Sequence, residues 1–311
     1  MLFPSIYDYL EFPEYQRILA IILKAIPFHR RFHLMKASGV IKFVCFFFVT
    51  AGFADDPRTV SLEPPAWMKD VTRLPPGTHL NKRSVKLGYT LDWNHQVNAG
   101  AVEIAIVRDS PEGSKLVGEA SGSSTGFARA LWPYQFTARS IVDQSSLRPV
   151  TFQLNERDRD AENSYDIIFE RYRQIFTTTS KKKEEILSST DRFKFDFGQD
   201  VLSSAFYLRS QALNEGDEIS MVVTPFNRPY LATFEVLGRE THKVKGTVYA
   251  AIKVDARIGK VNPDLTINTY DKIKKTTLWL SDDEFRIPLE LQSQIAFGFV
   301  SARLDEIEWL E

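Results

Sequence analysis

The feature that most constrains the fold is a strict alternation of apolar and polar residues in the segment SVKLGYTLDW. Val85, Leu87, Tyr89, Leu91 and Trp93 share one parity, while charged and hydroxyl side chains occupy most of the other. Successive side chains of a β-strand point to opposite faces of a sheet, so the pattern predicts a strand with one buried and one solvated face. Such strands are typical of antiparallel sheets.

The same period recurs along most of the chain. After the turn-like NHQVNAG, the apolar positions Val102, Ile104 and Ile106 repeat it. Further strands are predicted near 115–120, 135–143, 149–157, 163–178, 193–197, 217–224, 230–243, 247–258, 275–280, 285–292 and 296–305. The polar stretch TTTSKKKEEILSST is interpreted as a loop between two strands.

One stretch, DVLSSAFYLRSQAL, predicts a helix at about 200–212. Asp200 can cap its first turn, and the apolar residues that follow lie at helical spacing. A second, short helix is predicted in FARALWPY and ends at Pro133. The chain shows no βαβ rhythm. We therefore predict a mainly β fold, with a large, strongly curved antiparallel sheet or incomplete barrel and the helix at its concave side.

The segment that begins at Met35 has the composition of a secretory signal peptide. A basic start, an apolar run and the small residues around Ala54 predict a signal peptide over 35–54 that is cleaved after Ala54. The simplest interpretation is that translation starts at Met35 and that residues 1–34 are not translated. Two alternatives keep Met1: a twin-arginine signal at Arg30-Arg31, or an amphipathic, membrane-touching segment at Ile18–Phe28.

The remaining chain divides into three parts. Residues 55–83 contain five prolines and are predicted to form an extended arm, 84–305 a single β-rich domain, and 306–311 a C-terminal tail. Cys45 lies inside the predicted signal and lacks the context of a lipid-anchoring cysteine. The mature chain would therefore contain no cysteine, and hence no disulfide and no thiolate metal site.

Charge and hydropathy exclude two classes of partner. The first 54 residues hold six of the 39 basic and three of the 40 acidic side chains, so the mature chain would carry a net charge near −4. Such a balance disfavours nucleic-acid binding. No apolar run after residue 54 is long enough to span a membrane as a helix.

Four stretches, in order, are similar to a known family. They are KLGYTLDWNHQVNAGAVEI, SIVDQSSLRPVTF, DVLSSAFYLRSQALNEGDEI and LWLSDDEFRIPLEL. Together they resemble the exported bacterial family known as domain of unknown function 3108, over roughly residues 84–305. The resemblance implies export across the inner membrane, periplasmic or other extracytoplasmic residence, and a β-rich fold. It implies no activity and carries over no functional residue.

Two sets of residues could support hydrolysis. GSSTG at Gly122–Gly126 fits a nucleophile elbow, with Ser124 as nucleophile and His242 as its base. Its alternative interpretation, which we favour, is a turn of small residues. The carboxylates of Asp282 and Asp283, beside Glu284, could act as an acid–base pair or bind calcium. Their alternative is again a turn, in which Arg286 pairs with one carboxylate.

The other candidates concern binding. His79, His95 and His242 have no zinc-site spacing, and we predict no metal and no cofactor. Aromatic residues are plentiful, and they could either pack in the core or line an apolar groove. As ligand contacts we predict Trp132 and Tyr134, in a loop beside the sheet, together with Tyr207 and Arg209 on the helix. Arg209 could meet an anionic head group or pair with an acid.

These observations favour a non-enzymatic exported protein. It would bind a lipid-like, hydrophobic or amphiphilic ligand, or a protein partner in the cell envelope. One alternative is an envelope hydrolase that uses Ser124 with His242, or the carboxylates of Asp282 and Asp283. The other is a structural or assembly factor that acts through exposed sheet edges, where a partner strand can be added.

Overall fold

The computed structural model describes residues 65–79, 83–108, 113–269, 275–295 and 298–310. The predictions of a start at Met35, of a signal peptide over 35–54 and of the two alternatives that keep Met1 lie outside these residues. Residues 55–64 of the predicted arm lie outside them as well.

The described residues form sixteen strands, two α-helices and one 3-10 helix at Ala66–Lys69. The helices are α1 (Gly126–Leu131) and α2 (Val201–Ser210). The strands are β1 (Val85–Trp93), β2 (Val97–Arg108), β3 (Lys115–Ser124), β4 (Tyr134–Asp143), β5 (Pro149–Asp158), β6 (Ala161–Glu170), β7 (Arg173–Lys182), β8 (Glu185–Phe193), β9 (Gly198–Gln199), β10 (Glu218–Val223), β11 (Tyr230–Val244), β12 (Thr247–Val261), β13 (Ile267–Thr269), β14 (Lys275–Ser281), β15 (Pro288–Gln294) and β16 (Phe299–Trp309).

All strands belong to one open sheet. Its order is β8-β7-β6-β5-β4-β3-β2-β1-β16-β15-β14-β12-β11-β10-β9, with β13 added beside β12. Every pair is antiparallel except β9 with β10. The prediction of a mainly β fold built on a large antiparallel sheet is confirmed.

The alternation of buried and less buried residues in β1 is confirmed as far as Leu91. Val85, Leu87, Tyr89 and Leu91 are buried in the core. Asp92 is buried as well, and Trp93 is only partly buried although it packs against the core. Next to them the register of β1 with β2 shifts between Leu91 and Asp92, because Ala99 of β2 is an extra residue without a partner on β1.

The sheet curves so strongly that side chains from its two ends meet. The Gln174 side chain on β7 accepts a hydrogen bond from the Thr224 hydroxyl, directly after β10, at 2.6 Å. Gly198 on β9 lies so close to this glutamine that a Cβ atom there would collide with it. Tyr165 on β6 packs edge-on against Phe226 at 5.2 Å. Side chains therefore close an incomplete barrel in which β8 and β9 remain the terminal strands.

Helix α2 begins with a complete capping box, as the sequence predicts. The Asp200 carboxylate accepts hydrogen bonds from the backbone N–H groups of Leu202 at 2.7 Å and Ser203 at 2.9 Å. The Ser203 hydroxyl accepts in return from the Asp200 N–H at 2.9 Å. This reciprocal pair satisfies donors that the helix cannot satisfy internally.

Helix α2 fills the concave side of the sheet. A Cβ atom on Gly118 of β3 would lie 3.1 Å from the Phe206 ring and 3.3 Å from Leu202, so a glycine here lets the helix approach the sheet closely. The extended segment 71–79 crosses the helix as a strap, and the Tyr207 hydroxyl donates to the carbonyl of Leu74 at 2.7 Å. The interior is thus filled by protein.

The turn between β4 and β5 is built around one carboxylate. Oδ1 of Asp143 accepts hydrogen bonds from the N–H and hydroxyl groups of both Ser145 and Ser146, at 2.7–3.2 Å. The Ser145 hydroxyl contributes most to lowering the pKa of Asp143 from its ordinary 3.8 to about 2. The stretch SIVDQSSLRPVTF therefore contains a self-capped turn.

Three sequence assignments are wrong. The polar stretch TTTSKKKEEILSST is not a loop but the hairpin of β7 and β8, and 163–178 is two strands that turn at Arg171 and Tyr172. Both faces of β8 are solvated, so no apolar alternation marks it. The last strand extends through residues 306–309, which we assigned to the tail, because Trp309 pairs with Val85.

Candidate functional site

The four family-like stretches meet around helix α2. Asp200, at its start, accepts a hydrogen bond from the Ser140 hydroxyl on β4 at 2.6 Å. At its end, an Nη atom of Arg209 donates to the carbonyl of Phe285 at 2.5 Å. Tyr89 on β1 donates to the carbonyl of Pro288 at 2.9 Å. The first two contacts tie the ends of the helix to β4 and to the segment before β15, and the third ties β1 to β15. The stretches are therefore structural parts of the interior.

The guanidinium of Arg286 caps the C-terminal end of α2. It donates to the backbone carbonyls of Arg209 at 3.3 Å, of Ala212 at 2.9 Å and of Gln211. Our prediction that this side chain pairs with a carboxylate across the turn is wrong. The final carbonyls of a helix lack internal partners and carry a partial negative charge, which attracts the buried cation.

Arg209 and Tyr207, predicted as ligand contacts, face the packed interior. Burial lowers the pKa of Arg209 below its ordinary value, and its Nε has no hydrogen-bond partner among the described residues. The hydroxyl of Tyr207 is held by the strap, and its ring packs edge-on against Phe197 at 6.0 Å. Neither side chain reaches an accessible groove, because helix, strap and sheet enclose both.

Trp132 and Tyr134, the other two predicted ligand contacts, are also buried. Their rings stack at 4.8 Å, where α1 leads into β4. The Trp132 indole donates to Asp158 at 2.6 Å, and the Tyr134 hydroxyl donates to Glu156 at 2.9 Å. The predicted loop is therefore a packed corner, in which carboxylates of β5 bind the polar atoms of both rings.

Ser124 and His242 are not brought together. Ser124 is the last residue of β3, and its hydroxyl donates to the Trp132 carbonyl at 2.9 Å and accepts from the Tyr134 N–H at 3.0 Å. His242 instead contacts Glu290. Ser124 also lacks the positive φ angle that would indicate a strained elbow. The interpretation as a small-residue turn is wrong for most of this stretch, because Gly122, Ser123 and Ser124 belong to β3 and α1 begins at Gly126.

The acidic residues after β14 form a turn. Oδ1 of Asp283 accepts hydrogen bonds from the Ser281 hydroxyl and from the N–H groups of Phe285 and Arg286, at 2.8–2.9 Å. Asp282 forms an ion pair with Arg239 at 3.0 Å. These partners give both carboxylates structural roles that require neither calcium nor an acid–base reaction.

Glu290 on β15 joins the two histidines that sequence spacing leaves apart. Its side chain is 2% exposed. One carboxylate oxygen lies 2.7 Å from Nε2 of His95, and the other lies 2.9 Å from Nε2 of His242. The imidazole of His242 also stacks on Trp279 at 4.3 Å. Sequence analysis missed Glu290, since a glutamate on a strand with one solvated face gives no sign of burial.

The far half of the β11–β12 hairpin supplies this burial. Strand β14 pairs only with residues 251–256 of β12, so residues 247–250, toward the hairpin tip, lack this second partner and the hairpin continues over the neighbouring strands. Lys245 near its tip forms an ion pair with Asp305 of β16 at 2.6 Å, and Glu240 accepts a hydrogen bond from the Trp279 indole at 2.7 Å. Beneath it, Asp92 and Arg303 form a bidentate pair with both distances at 3.0 Å. The ion pair of Lys245 and the hydrogen bond of Glu240, together with the contacts of Glu290, hold the hairpin against the outer face of the sheet.

An accessible groove lies on the solvent-facing side of strands β1 to β7. Its volume is about 910 Å³. Its floor consists of small neutral polar side chains whose strand parity is opposite to that of the core residues. They include Thr90, Ser121, Ser123, Thr137, Asn155 and Thr179. The solvent-facing polar residues of these strands thus form a groove. The alternation in the sequence shows only that they face solvent and does not show that they line a groove.

Charged residues lie around this polar floor. Arg157 pairs with Glu162 at 2.6 Å, and Lys86 pairs with Glu103 at 2.8 Å. The groove therefore combines hydroxyl and amide groups, which both donate and accept hydrogen bonds, with charged side chains and with apolar surface from residues such as Val102 and Phe136. This mixture is the chemistry of a wet protein interface rather than of a predominantly apolar small-molecule site.

The described residues contain neither a candidate metal site nor a candidate membrane-spanning helix. Within the five described ranges, no group of three histidine, cysteine, aspartate or glutamate side chains has a geometry that could hold a metal ion. In the same part of the chain, no helix is both long and apolar enough to cross a membrane.

The fold and the groove define a curved-sheet protein with a polar face that is open to solvent. The chain belongs to the family described as Protein of unknown function (DUF3108), whose sequence model matches residues 88–305. This confirms the resemblance carried by the four stretches. No curated protein matches the chain.

Solved structures with similar folds are distant in sequence. A β-barrel-like DUF1849 protein from Brucella abortus is 9% identical with a TM-score of 0.47, and the match covers 74% of this chain and 99% of that one. A candidate lipoprotein from Parabacteroides distasonis is 7% identical with a TM-score of 0.34, covering 76% and 100%. A candidate exported protein with a YmcC-like fold from Bacteroides fragilis is 6% identical with a TM-score of 0.33, covering 75% and 99%.

Proposed function

We propose that this protein is an exported, non-enzymatic binding protein that holds a polar segment of another envelope protein in its groove. The observation that carries the proposal is the groove of about 910 Å³ with its floor of hydroxyl and amide groups. Export rests on the signal-peptide pattern over 35–54, and the mature chain begins at Asp55.

The groove suits a polypeptide because of its hydrogen-bonding chemistry. A peptide backbone presents one donor and one acceptor per residue, and side chains such as Ser123, Thr137 and Asn155 can satisfy both kinds. Their small size lets a bound chain approach the sheet. The charged pairs at the edge remain solvated, so a partner does not have to desolvate them.

An apolar ligand has less support than a protein partner. The residues predicted to touch such a ligand, Trp132, Tyr134, Tyr207 and Arg209, are buried by other parts of the chain. In the residues that the structure describes, helix α2 fills the concave side where a lipid would lie. A lipid would therefore have to displace α2 and the strap, with loss of the core contacts that they make.

Site-specific photocrosslinking tests the proposal in intact cells. A photoreactive amino acid is placed at Ser123 or Thr137 in the groove, or at the exposed strand residue Ala250 outside it. We expect one and the same protein to crosslink at both groove positions and not at Ala250. The partner segment, identified by mass spectrometry of the crosslinked peptide, is then synthesised for calorimetry with the purified protein.

A matched pair of variants completes the test. Ser123→Arg places a long charged side chain in the groove, whereas Ala250→Arg makes the same change elsewhere. We expect Ser123→Arg to weaken peptide binding by about 100-fold, which corresponds to about 2.7 kcal/mol, and Ala250→Arg to leave it unchanged. Equal crosslinking at all three positions, or crosslinks only to lipid or glycan, would refute the proposal.

A further inference from the structure

We infer that strand β8 is an interface through which two copies of this chain pair, edge to edge and antiparallel. In the described part of the sheet, β8 is a terminal strand and pairs with β7 alone. Eight of its nine residues are exposed. No residue of β8 lines the groove, so the inference goes beyond the proposed function.

The edge of β8 lacks most of the features that usually prevent pairing. Natural edge strands are blunted by proline, by bulges, by charged side chains or by short length. The charged residues of β8, Glu185, Asp191 and Arg192, lie near its two ends. Strand β8 contains no proline, and its register with β7 is regular over all nine residue pairs. Its centre, from Ser188 to Thr190, carries no charge. At the opposite end of the sheet, β9 has only two residues and Gln199 is fully buried.

Two apolar side chains make this edge costly to leave in water. Ile186 is 63% exposed and Leu187 is 61% exposed. They are adjacent in sequence and therefore lie on opposite faces of the strand. A partner strand added at the edge would shield both, whereas a partner on one face of the sheet would shield only one.

Symmetry limits the registers available to two copies. A two-fold axis that relates two antiparallel edge strands is perpendicular to the sheet, so each side chain keeps its face. The register must therefore be centred on one residue that lies opposite its own copy. If the centre is Ser188, Glu185 lies directly opposite Asp191 at two places, which like charges disfavour. If it is Ser189, Leu187 lies opposite Asp191.

A centre at Leu187 avoids both conflicts. A centre at Ile186 would place Leu187 opposite Glu185, and a centre at Thr190 would leave Ile186 opposite a residue beyond the end of β8. Leu187 then lies opposite its own copy on one face, and the two Ile186 side chains become diagonal neighbours on the other. Lys183, in the β7–β8 turn, lies level with Asp191 of the second copy, and symmetry repeats this pair. Charge complementarity and apolar contact therefore select the same register, and a second copy is the partner that fits.

Sedimentation velocity of the purified full chain tests the interface. From about 1 to 200 µM, we expect reversible dimerisation with a Kd of about 10 µM, in the range of small transient interfaces. Leu187→Lys places two like charges opposite each other and should raise the Kd about 100-fold. Val248→Lys introduces the same charge at a residue of similar exposure, 63%, that lies on the β11–β12 hairpin, and should have no effect.

The register has its own test. Cysteines introduced one at a time at positions 187, 188 and 189, in a chain that carries Cys45→Ser, are compared under mild oxidation, with Cys45→Ser alone as the baseline. Leu187→Cys should form a disulfide-linked dimer fastest, because facing Cβ atoms of an antiparallel pair are about 5 Å apart. A chain that stays monomeric at about 200 µM, or Val248→Lys acting as strongly as Leu187→Lys, would overturn the interface. Faster linkage through position 188 or 189 would overturn the register.

Discussion

The self-capped turn at Asp143 gives a quantitative prediction about stability and pH. The folded protein lowers the pKa of this carboxyl from 3.8 to about 2, mainly through the Ser145 and Ser146 hydroxyl groups. A difference of this size corresponds to at most about 2.4 kcal/mol in favour of the folded state when the carboxyl is ionised. The side chain is 31% exposed, so solvent screening reduces the expected contribution to about 1–2 kcal/mol.

Asp143→Asn removes the charge and keeps an acceptor oxygen and the size of the side chain. Because the pKa is lowered on folding, the stabilisation is fully present above about pH 4 and is lost as the pH falls toward 2. At about pH 7 we therefore expect the variant to unfold with a free energy lower by about 1–2 kcal/mol, and with a Tm lower by roughly 3–6 °C. Near pH 2 the two proteins should be almost equally stable.

Urea denaturation followed by tryptophan fluorescence measures this difference at each pH. Asp166→Asn is the control, because Asp166 lies on β6 and accepts one side-chain hydrogen bond, from Gln153 at 3.0 Å. We expect the control to change the free energy of unfolding by less than about 0.5 kcal/mol. If Asp143→Asn is equally destabilising at pH 7 and near pH 2, or neutral throughout, the electrostatic explanation of the turn is wrong.

Three further substitutions test buried contacts. Ser124→Ala deprives the Trp132 carbonyl and the Tyr134 N–H of their shared partner and should cost about 1–3 kcal/mol in unfolding free energy; labelling of wild type but not of this variant by a serine-reactive probe would restore the hydrolase hypothesis. Glu290→Gln removes the charge between the two histidines and should cost about 1–3 kcal/mol in urea denaturation, against none if the cluster is incidental. Arg286→Lys keeps the charge but loses the fork that reaches three carbonyls, so the Tm should fall by roughly 4–8 °C; an unchanged Tm would show that water replaces the cap. Native mass spectrometry of wild type should find no bound lipid, and a mass removable by solvent extraction would favour the apolar-ligand alternative.

The repeating patterns of the chain were predictable because they are local. Val85, Leu87 and Tyr89 show their common face through a period of two, and the packed sheet confirms it. Asp200 and Ser203 show the start of helix α2 through a spacing that only adjacent backbone groups require. Strand β8 and the end of β7 escaped prediction because they are held by cross-strand pairing and have little buried apolar face to mark them.

The candidate site was less predictable because its residues are distant in sequence. Trp132 and Tyr134 attract notice in any sequence, yet their burial depends on Glu156 and Asp158 of the next strand. Glu290 becomes the centre of a polar cluster only because a hairpin about 50 residues away folds over it. The residues next to Glu290 in the sequence do not show whether its side chain is buried or exposed to solvent.

The sequence by itself determined the class of fold, the capped helix and membership of the family, since each depends on residues that are neighbours along the chain. Only the tertiary structure decided that the aromatic residues close the interior, that the polar face forms a groove, and that β8 is left as an open edge. The physical reason is that curvature of a large sheet arises from its twist, its bulges and the packing of α2 together. No single segment of the sequence determines this combined curvature, and the shape of the groove depends on the curvature.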